Sequence, residues 1–404
     1  MKKKILMMTQ NFYPVIGSAG NRMRNIFHLL DQHEMDVDVL TIEPAYPNRN
    51  MYKDPKFWDD EWVNSREDNI TRVQLKNQHS SRNLISRLFF YIEMMYRFLS
   101  SLWDAKDKKY DYILVSTPPI FIVFSAFIAK FLFMKKTKII LEVRDLWPDS
   151  LIGVKIFDYP IIIRFFRYLE KKMYQNADYI IINSIGFREH IERKLKYPKK
   201  IIYIPNGPRA HEIVKEKEHQ EEFRVVYTGN IGLAQDVEHI KSIAKLLHEN
   251  NITFHVIGYG VKAKEFQNYI EKNDLHYVHF QPPATRKESL KLIKSCQLGI
   301  AFLNDEEVFS TVLPGKIIDY MTCKTPSIAG VKGTAAKIIS ANQTGFAFNQ
   351  SDVHAMVEKI VELKQNPHII EEMGQNCIKT VEKEFLWEKN IHKKKKKRKK
   401  KYFF

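Results

Sequence analysis

The sequence predicts an α/β protein with two doubly wound, Rossmann-like parallel-sheet domains that face each other across a cleft. Apolar, strand-like runs alternate with helical patterns, which is typical of parallel sheets covered by helices. The alternation pauses after Gly207 and restarts at Phe223, so we expect two units of similar size. A chain of 404 residues with 44% hydrophobic residues is long and apolar enough to fill two cores.

The predicted strands are short apolar runs separated by helical or polar segments. In the first half they are Ile5–Met8, Val37–Ile42, Tyr112–Ser116, Ile139–Val143, Tyr179–Asn183 and Ile201–Ile204. In the second half they are Phe223–Thr228, Thr253–Ile257, Tyr277–Phe280, Leu298–Phe302 and Ser327–Ala329. The polar segment 46–69 is too long for a simple connection and is interpreted as a surface excursion or a lid.

Domain boundaries follow from these patterns. We expect an N-terminal domain at 1–207 and a C-terminal domain at 208–378, with a charged linker at 215–222. A C-terminal helix at 379–392 is expected to return to the N-terminal domain. Residues 393–404 form a basic tail, which self-repulsion should keep disordered.

The net charge of +17 is concentrated at one end, because nine consecutive basic residues occupy 393–401 and leave +8 for the rest. This run could bind anionic lipid or nucleic acid, or it could be a terminus altered by a frameshift. The remaining positive charge, with an aromatic and basic first half, predicts that the protein associates with an anionic membrane surface. Three isolated cysteines without metal-ligand spacing, and no recognisable secretion signal, predict a cytoplasmic protein.

Two apolar stretches bear on the membrane. Residues 119–134 contain Lys130 and fall short of the roughly 20 residues that a spanning helix needs, so we expect a buried crossover helix. Residues 84–103 mix aromatic residues with Arg87 and Arg97. That pattern suits either a helix lying in a membrane interface or an amphipathic helix facing the core, and the core is slightly favoured.

Charged residues directly follow the predicted strand Ile139–Val143. This strand carries Glu142 near its end and leads into Arg144, Asp145 and Trp147. Ligands of open parallel sheets bind beyond the carboxyl ends of the strands, so this segment predicts a chemical site. A structural role for Asp145, capping the turn at Pro148, remains the alternative.

Small residues follow the first strand of each predicted domain. Residues 17–20 are Gly, Ser, Ala and Gly, and Gly229, Asn230 and Gly232 follow the strand that ends at Thr228. Small residues let backbone N–H groups approach an anion, and a helix N-terminus adds favourable potential. The same residues also serve in ordinary tight turns, so the shared position of the two loops carries more weight than either loop alone.

Lys316 and Asp319 lie three residues apart behind Pro314, which can open a helix. They would share one helix face, where the amine can neutralise a phosphate and the carboxylate can accept two sugar hydroxyls. An intrahelical ion pair on the surface is the alternative. The apolar neighbours Ile317 and Ile318 predict a half-buried helix and favour the site.

Taken in order, these segments resemble a known family. They are F-Y-P-V-I-G-S-A-G-N-R at 12–22, R-D-L-W-P-D-S at 144–150, Leu169-Glu170 with 174–178, I-P-N-G at 204–207, Y-T-G-N-I-G at 227–232 and P-G-K-I-I-D-Y-M at 314–321. The ordered set, over roughly residues 3 to 390, resembles the family 4 retaining glycosyltransferases of GT-B fold that build bacterial O-antigen and capsular polysaccharides. Within that branch it looks most like transferases of N-acetyl-L-fucosamine.

The resemblance implies roles for particular residues. Donor binding falls on Gly17, Gly229, Asn230, Gly232, Gln235, Lys316 and Asp319; catalysis falls on Asp145, Arg144 and Glu142; acceptor binding falls on Trp147 and Arg22. The chain departs from the family pattern in three places. Thr311 replaces the first carboxylate of a pair that is eight positions apart, and Ala234-Gln235-Asp236 stand where the usual diphosphate-binding cations would be. Arg144 stands where many relatives have His. Lys316 could take over the phosphate charge.

The resemblance also implies substrates. The donor would be a nucleotide-sugar, most simply UDP-linked and used without a cofactor. The acceptor would be a sugar on a polyprenyl diphosphate at the cytoplasmic face of the membrane, to which the enzyme would bind peripherally. Asp36-Val37-Asp38 has the spacing of a manganese motif, but it begins a predicted strand at the end opposite the expected site, so no metal is expected.

Two other functions remain open from the sequence. A UDP-sugar 2-epimerase would share the two-domain architecture but would need no acceptor. A nucleic-acid-binding protein would account for the pI of 9.4. Such a protein should carry its basic residues in a patch interleaved with aromatics, whereas here over half of the excess charge lies in one terminal run, so no nucleic acid is expected.

Overall fold

The computed structural model describes residues 2–33, 35–76, 84–154, 159–214, 216–217 and 221–391. The predicted tail at 393–404 lies outside these ranges, as does part of the predicted linker. Contacts divide the chain between Ile204 and Pro205 into two compact units, here called unit 1 and unit 2. Each unit is a parallel sheet with helices in its crossovers, which confirms the predicted fold class.

Unit 1 contains seven parallel strands in the order β3-β2-β1-β4-β5-β6-β7. The strands are β1 (Lys4–Met8), β2 (Asp36–Ile42), β3 (Ile70–Val73), β4 (Tyr112–Thr117), β5 (Lys138–Val143), β6 (Tyr179–Ile182) and β7 (Ile201–Tyr203). The helices are α1 (Ser18–Gln32), α2 (Glu61–Asn64), α3 (Leu84–Asp104), α4 (Ile120–Leu132), α5 (Asp149–Gly153), α6 (Pro160–Asn176) and α7 (Phe187–Glu192).

Unit 2 contains six parallel strands in the order β10-β9-β8-β11-β12-β13. They are β8 (Arg224–Asn230), β9 (Thr253–Tyr259), β10 (Val278–Gln281), β11 (Leu298–Phe302), β12 (Ser327–Gly330) and β13 (Gly345–Phe348). The helices are α8 (Val237–Glu249), α9 (Ala263–Lys272), α10 (Arg286–Lys294), α11 (Glu307–Ser310), α12 (Gly315–Thr322), α13 (Gly333–Ala341), α14 (Val353–Gln365), α15 (Pro367–Thr380) and α16 (Trp387–Ile391). Helix α16 contacts unit 2 through Glu388, which accepts from Arg209 at 2.8 Å; its predicted return to the N-terminal domain stays a prediction.

The strand orders place one topological switch point in each unit. In unit 1 the order reverses between β1 and β4, and in unit 2 it reverses between β8 and β11. Loops that leave neighbouring strands in opposite directions open a crevice at such a point, and ligands of open α/β sheets bind there. The segments singled out from the sequence, after β1, β5 and β8, lie at or beside these carboxyl ends.

The predicted excursion 46–69 forms two 3-10 helices, α2 and a further 3-10 turn before β3. It is packed rather than extended, because Tyr52, Phe57 and Val63 are buried. The excursion is tied to the loop after β1, where the Tyr13 hydroxyl accepts a hydrogen bond from the Asp60 amide at 2.8 Å. This segment therefore supports the loop that leads into α1.

The aspartates of the D-x-D pattern lie on β2, at its amino-terminal end. Asp38 accepts hydrogen bonds from Lys108 at 2.8 Å, Tyr110 at 2.5 Å and Asn69 at 3.1 Å. These partners give it a structural role that links β2 to the chain before β4. Within the described part of the chain, no helix is both long and apolar enough to cross a membrane.

Strands β8 and β11 separate early at the switch point of unit 2. They pair only at Leu298 with Val225 and at Gly299 with Val226, whereas β8 stays paired to β9 up to Asn230. The buried Tyr320 of α12 bridges the gap, since its hydroxyl accepts from the Thr228 amide at 3.1 Å and donates to the Ile300 carbonyl at 2.8 Å.

A glycine makes room for this tyrosine. A Cβ at Gly299 would lie 2.4 Å from the Tyr320 ring, so a larger residue at 299 would displace the ring. The hydroxyl thus satisfies two buried backbone groups that a continuous ladder would otherwise pair.

We expect Tyr320→Phe to lower the free energy of unfolding by about 1–3 kcal/mol, because it leaves a buried N–H and a buried carbonyl without partners. Urea unfolding followed by circular dichroism would measure the loss. Tyr197→Phe is the matched control, since the Tyr197 side chain is 67% exposed and should tolerate the change. Equal stabilities for the two variants would contradict the bridging role.

Candidate active site

The loop after β8 is fixed by its own backbone. Gly229 has a φ of +112°, a left-handed conformation that favours glycine. The Tyr227 hydroxyl donates to the Asn230 carbonyl at 2.7 Å, and the Gly232 amide donates to Oε1 of Gln235 at 3.3 Å. The predicted donor-binding residues of this loop therefore lie together and are held in one conformation.

Lys316 lies against this loop from the start of α12. Its Nζ is 3.5 Å from the centroid of the Tyr227 ring, and a Cβ at Gly229 would be 4.0 Å from it. The Nζ atom is buried and has no hydrogen-bond partner among the described residues. Burial lowers the pKa of Lys316 well below its ordinary value.

A buried amine with no hydrogen bond is costly to maintain, and such groups are rare in folded proteins. The face of the Tyr227 ring supplies a cation–π contact, which offsets part of the cost. An anion in front of the amine would supply the rest. This arrangement can bind a phosphate group between Lys316 and the loop that begins at Gly229.

Asp319, one helical turn beyond Lys316, is already engaged by the protein. Its Oδ1 accepts a hydrogen bond from Arg286 at 2.9 Å, and the same guanidinium donates to Glu212 at 2.5 and 3.2 Å. About 30% of the Asp319 side chain is exposed. The carboxylate can therefore accept further hydrogen bonds from a ligand while Arg286 fixes its orientation.

Burial would lower the pKa of Arg286, but the carboxylates of Asp319 and Glu212 outweigh it and raise that pKa. Burial raises the pKa of Asp319, and Arg286 opposes this shift. Arg286 and Glu212 were not singled out in the sequence. They lie in the capping segment of α10 and in a 3-10 turn after β7, and neither pattern signals a site.

Thr311 stands where the family pattern has its first carboxylate. Its hydroxyl donates to the Val308 carbonyl at 2.6 Å and thus caps the short helix α11. A neutral hydroxyl cannot supply the charge of the missing carboxylate. Thr311 therefore cannot do the chemistry of the carboxylate that the family pattern has at this position.

In unit 1, a buried charge network surrounds Glu142 near the end of β5. Glu142 is fully buried and accepts from Arg22 Nε at 2.5 Å and from the Ser116 hydroxyl at 2.5 Å. Arg144 donates to Ser116 at 2.7 Å and to the Pro118 carbonyl at 2.9 Å. The network joins α1, β4 and β5 at the switch point.

The contacts and burial of Glu142, Arg22 and Trp147 bear on the roles predicted for these three residues. Glu142 is engaged by Arg22 and Ser116, which favours a scaffolding role over proton transfer. Arg22 is only 1% exposed, and Trp147 is 5% exposed with its ring packed edge-on against Phe166 at 4.6 Å. Because both side chains lie in the interior of unit 1, their direct contact with an acceptor stays a prediction.

Asp145 differs from Glu142 because it is half-buried and lies just beyond the strand. Burial raises its pKa, while the Ser150 hydroxyl, the Leu146 amide and Arg144 oppose the shift. A carboxyl group with a raised pKa at the end of a parallel strand has the properties of a general base. In the loop after β1, Gly17 has a φ of +94° and precedes α1 as its N-cap.

We expect Glu142→Gln to lower the free energy of unfolding by about 3–5 kcal/mol, because it leaves the buried Arg22 without its counter-charge. Urea unfolding would measure the change. Glu249→Gln is the control, since Glu249 makes an exposed ion pair with Lys245 at 3.8 Å and should lose little. If Glu142→Gln kept full stability but lost activity, Glu142 would be a catalytic residue instead.

Two family models match the chain in succession. Residues 17–207 match the glycosyl transferase 4-like domain, and residues 208–383 match glycosyl transferases group 1. Three curated relatives align with part of the chain. An uncharacterized glycosyltransferase of Methanocaldococcus jannaschii, MJ1178, is 25% identical over 55% of this chain and 60% of its own length.

The probable glycosyltransferase WbjE of Pseudomonas aeruginosa is 22% identical over 68% of this chain and 70% of its own length. The capsular polysaccharide biosynthesis glycosyltransferase CapM of Staphylococcus aureus is 29% identical over 36% of this chain and 41% of its own length. The chain thus spans between about two fifths and seven tenths of these relatives.

Solved structures share the fold. Sucrose-phosphate synthase of Thermosynechococcus elongatus superposes with a TM-score of 0.71 at 15% identity, covering 96% of each chain. HepE of Anabaena, solved with UDP-glucose, superposes with a TM-score of 0.67 at 14% identity, covering 96% of each chain. These likenesses show a GT-B fold. The chain therefore combines a glycosyl transferase 4-like domain with a domain of glycosyl transferases group 1, which places it among the glycosyltransferases.

Proposed function

We propose that this protein transfers a sugar from a UDP-sugar to a lipid-linked sugar acceptor during capsular or O-antigen polysaccharide synthesis. The observation that carries the proposal is the buried amine of Lys316, which lies beside Gly229 and finds no hydrogen-bond partner in the described part of the chain. A nucleoside diphosphate supplies the anion that this amine lacks. HepE was solved with UDP-glucose, and WbjE and CapM are named as glycosyltransferases, CapM in capsule synthesis, which supports the donor class and the pathway.

The donor half of the mechanism would use unit 2. Lys316 and the amides of the Gly229 loop would stabilise the negative charge that develops on the departing diphosphate. This stabilisation requires neither a cofactor nor a metal. Asp319, oriented by Arg286, would accept hydrogen bonds from the ribose, and Gln235 would hold the loop closed over Gly232.

The acceptor half would use the segment after β5. Asp145 would take the proton of the attacking hydroxyl, and Arg144 would orient the acceptor or its phosphate. Arg22 and Glu142 would hold this segment in place through their buried pair. The family 4 resemblance supports retention of anomeric configuration and an N-acetylated deoxysugar such as N-acetyl-L-fucosamine as the transferred group. The enzyme would act peripherally at the cytoplasmic face of the membrane.

Ligand binding and turnover can be tested in two steps. Thermal shift with UDP, GDP and their sugars should show stabilisation by UDP compounds, whereas stabilisation by GDP alone would contradict the donor assignment. Incubation with the UDP-sugar and no acceptor should leave the sugar unchanged apart from slow hydrolysis. Epimerisation at C2 under those conditions would identify a UDP-sugar 2-epimerase and overturn the transferase proposal.

Lys316→Met should reduce kcat/KM by about 10- to 100-fold, because a charge-assisted contact to phosphate contributes roughly 1.5–3 kcal/mol. Methionine keeps an apolar stem against Tyr227, so the melting temperature should not fall. Lys332→Met serves as control, since Lys332 is 46% exposed and pairs with Asp305. Normal turnover of Lys316→Met would rule out the phosphate role.

Asp145→Asn should reduce turnover at least about 100-fold at unchanged thermal stability, which is the usual lower size of a general-base effect. In the wild type, activity should fall as the pH drops through the raised pKa of Asp145, because the protonated carboxyl cannot accept a proton. The variant should lose this acid limb. Asp149→Asn, at a carboxylate paired with Arg167, is the control. An acid limb that persists in Asp145→Asn would assign it to another group.

A further inference from the structure

Three helices of unit 1 form one continuous layer. Helix α4 packs between α3 and α6. Tyr91 of α3 stacks on Phe121 of α4 with ring centroids 5.3 Å apart, and Phe121 meets Phe166 of α6 edge-on at 6.2 Å. At the other end of the pair, Trp103 of α3 lies edge-on to Phe133 at 5.1 Å. The three outward faces therefore belong to one surface.

Helix α3 is apolar on two opposite faces. Phe90, Met94, Phe98 and Leu102, spaced by four residues, are buried. The outward stripe consists of large apolar side chains that are 43–68% exposed: Phe89, Ile92, Tyr96 and Trp103. A helix whose only task is to cover a sheet carries polar residues on its outer face, so this second stripe needs another explanation.

Helix α6 repeats the pattern. Ile161 is 85% exposed and Phe165 and Tyr168 are each 56% exposed, and their spacing of four and three residues puts them on one outward stripe. At the end of α4, Phe131 is 78% exposed and Leu132 is 58% exposed. We call the outward residues of α3, α4 and α6 the lateral face. Contiguous exposed apolar surface of this kind marks an interaction site.

The charged side chains of α4, of α6 and of the chain just after α4 are mainly basic, whereas α3 carries Glu93 and the exposed Asp104 as well as Arg87 and Arg97. Residues 120–138 contain no acidic residue, and in residues 159–172 Glu170 is the one acid and is fully buried. The exposed cations of these two ranges are Lys135, Lys136, Lys138, Arg164, Arg167, Lys171 and Lys172. Lys106 lies 3.9 Å from the Trp103 ring centroid, and Lys172 lies 5.5 Å from that of Tyr168.

A cavity of about 760 Å³ on the flank of α3 extends this positive region. Arg97 and Ser100 of α3 line it together with Arg49, Arg72 and Lys76. Asp104 also lines the cavity, but its four cations outnumber this one acid, so the cavity suits anionic groups rather than an apolar partner. It lies about a quarter-turn around α3 from the outward stripe, given 3.6 residues per turn.

We propose that the lateral face of α3, α4 and α6 docks onto an anionic lipid bilayer. Its aromatic and aliphatic side chains would enter the boundary between headgroups and acyl chains, while its lysines and arginines would meet lipid phosphates. Exposed aromatic and aliphatic groups mixed with an excess of cations are complementary to such a surface. The inference deepens the proposed function, because a lipid-linked acceptor requires an enzyme held at the membrane.

Vesicle flotation of the full chain tests this surface without donor or acceptor. Wild type should float with phosphatidylcholine vesicles that contain 30% phosphatidylglycerol, and the double variant Ile161→Gln/Phe165→Gln should bind at least tenfold more weakly. Val261→Gln is the matched control, since Val261 is 60% exposed in unit 2 and should leave binding unchanged. Both variants alter exposed side chains and should keep the wild-type melting temperature and the shift with UDP.

A second variant separates the lateral face from the basic run at 393–401. With all nine basic residues changed to glutamine, the protein should still float with anionic vesicles, and the Ile161/Phe165 changes should then abolish flotation. Binding that disappears with the tail alone would overturn the proposal. Sedimentation showing a dimer that Ile161→Gln/Phe165→Gln dissociates would overturn it too, in favour of a self-interface.

The two proposals can fail independently. If UDP compounds do not bind but flotation depends on the lateral face, the proposed function falls and the docking surface stands. If transfer to a detergent-solubilised acceptor proceeds normally but Ile161→Gln/Phe165→Gln floats like wild type, the function stands and the docking surface falls.

Discussion

The hydroxyl of Tyr320 holds the crevice of unit 2 open. It takes the place of the ladder that β8 and β11 lack beyond Gly299, and so allows the two strands to diverge without leaving buried backbone groups unpaired. The divergence makes room for the Gly229 loop and for the start of α12. Lys316 and Asp319 reach the crevice because they share that helix with Tyr320, so one buried side chain sets the position of the candidate donor site.

In unit 1, buried charged groups hold the switch point of the sheet in place. At its switch point, Glu142 is buried between Arg22 and Ser116, and Arg144 bonds to Ser116 in turn. Burying these charges has a high desolvation cost, which only close pairing can repay. This pairing fixes the geometry of the segment that carries Asp145. Both units thus keep a polar group at the carboxyl edge of the sheet, where ligands of this architecture bind.

The sequence predicted the fold class and the central strands because both depend on local patterns. The edge strands β3 and β13 were not predicted, since each has only four residues, β3 places Thr71 and Arg72 between its two apolar residues, and no residue of β13 is fully buried. The loop at Gly229 and the amine of Lys316 were recognised from spacing and residue type. The bridge that Arg286 makes between Asp319 and Glu212 was not, because these residues lie 33 and 74 positions from Arg286 and meet it only in the fold.

The sequence also did not predict which side chains are buried and which are exposed. Arg144, Asp145 and Trp147 were assigned to one candidate site from their order in the sequence, yet the indole lies in the interior and the carboxyl is half-buried. Helix α3 shows the converse, because the sequence left open whether its aromatic residues face the core or a membrane, and the structure divides them between two faces. Phe90, Met94, Phe98 and Leu102 fill the core, and the stripe on the opposite face remains exposed. A helix apolar on both sides can join a sheet to a second apolar phase, and α6 beside it carries the same outward pattern. The features that stabilise unit 1 and those that would bring it to a lipid-linked acceptor are therefore opposite faces of the same helices.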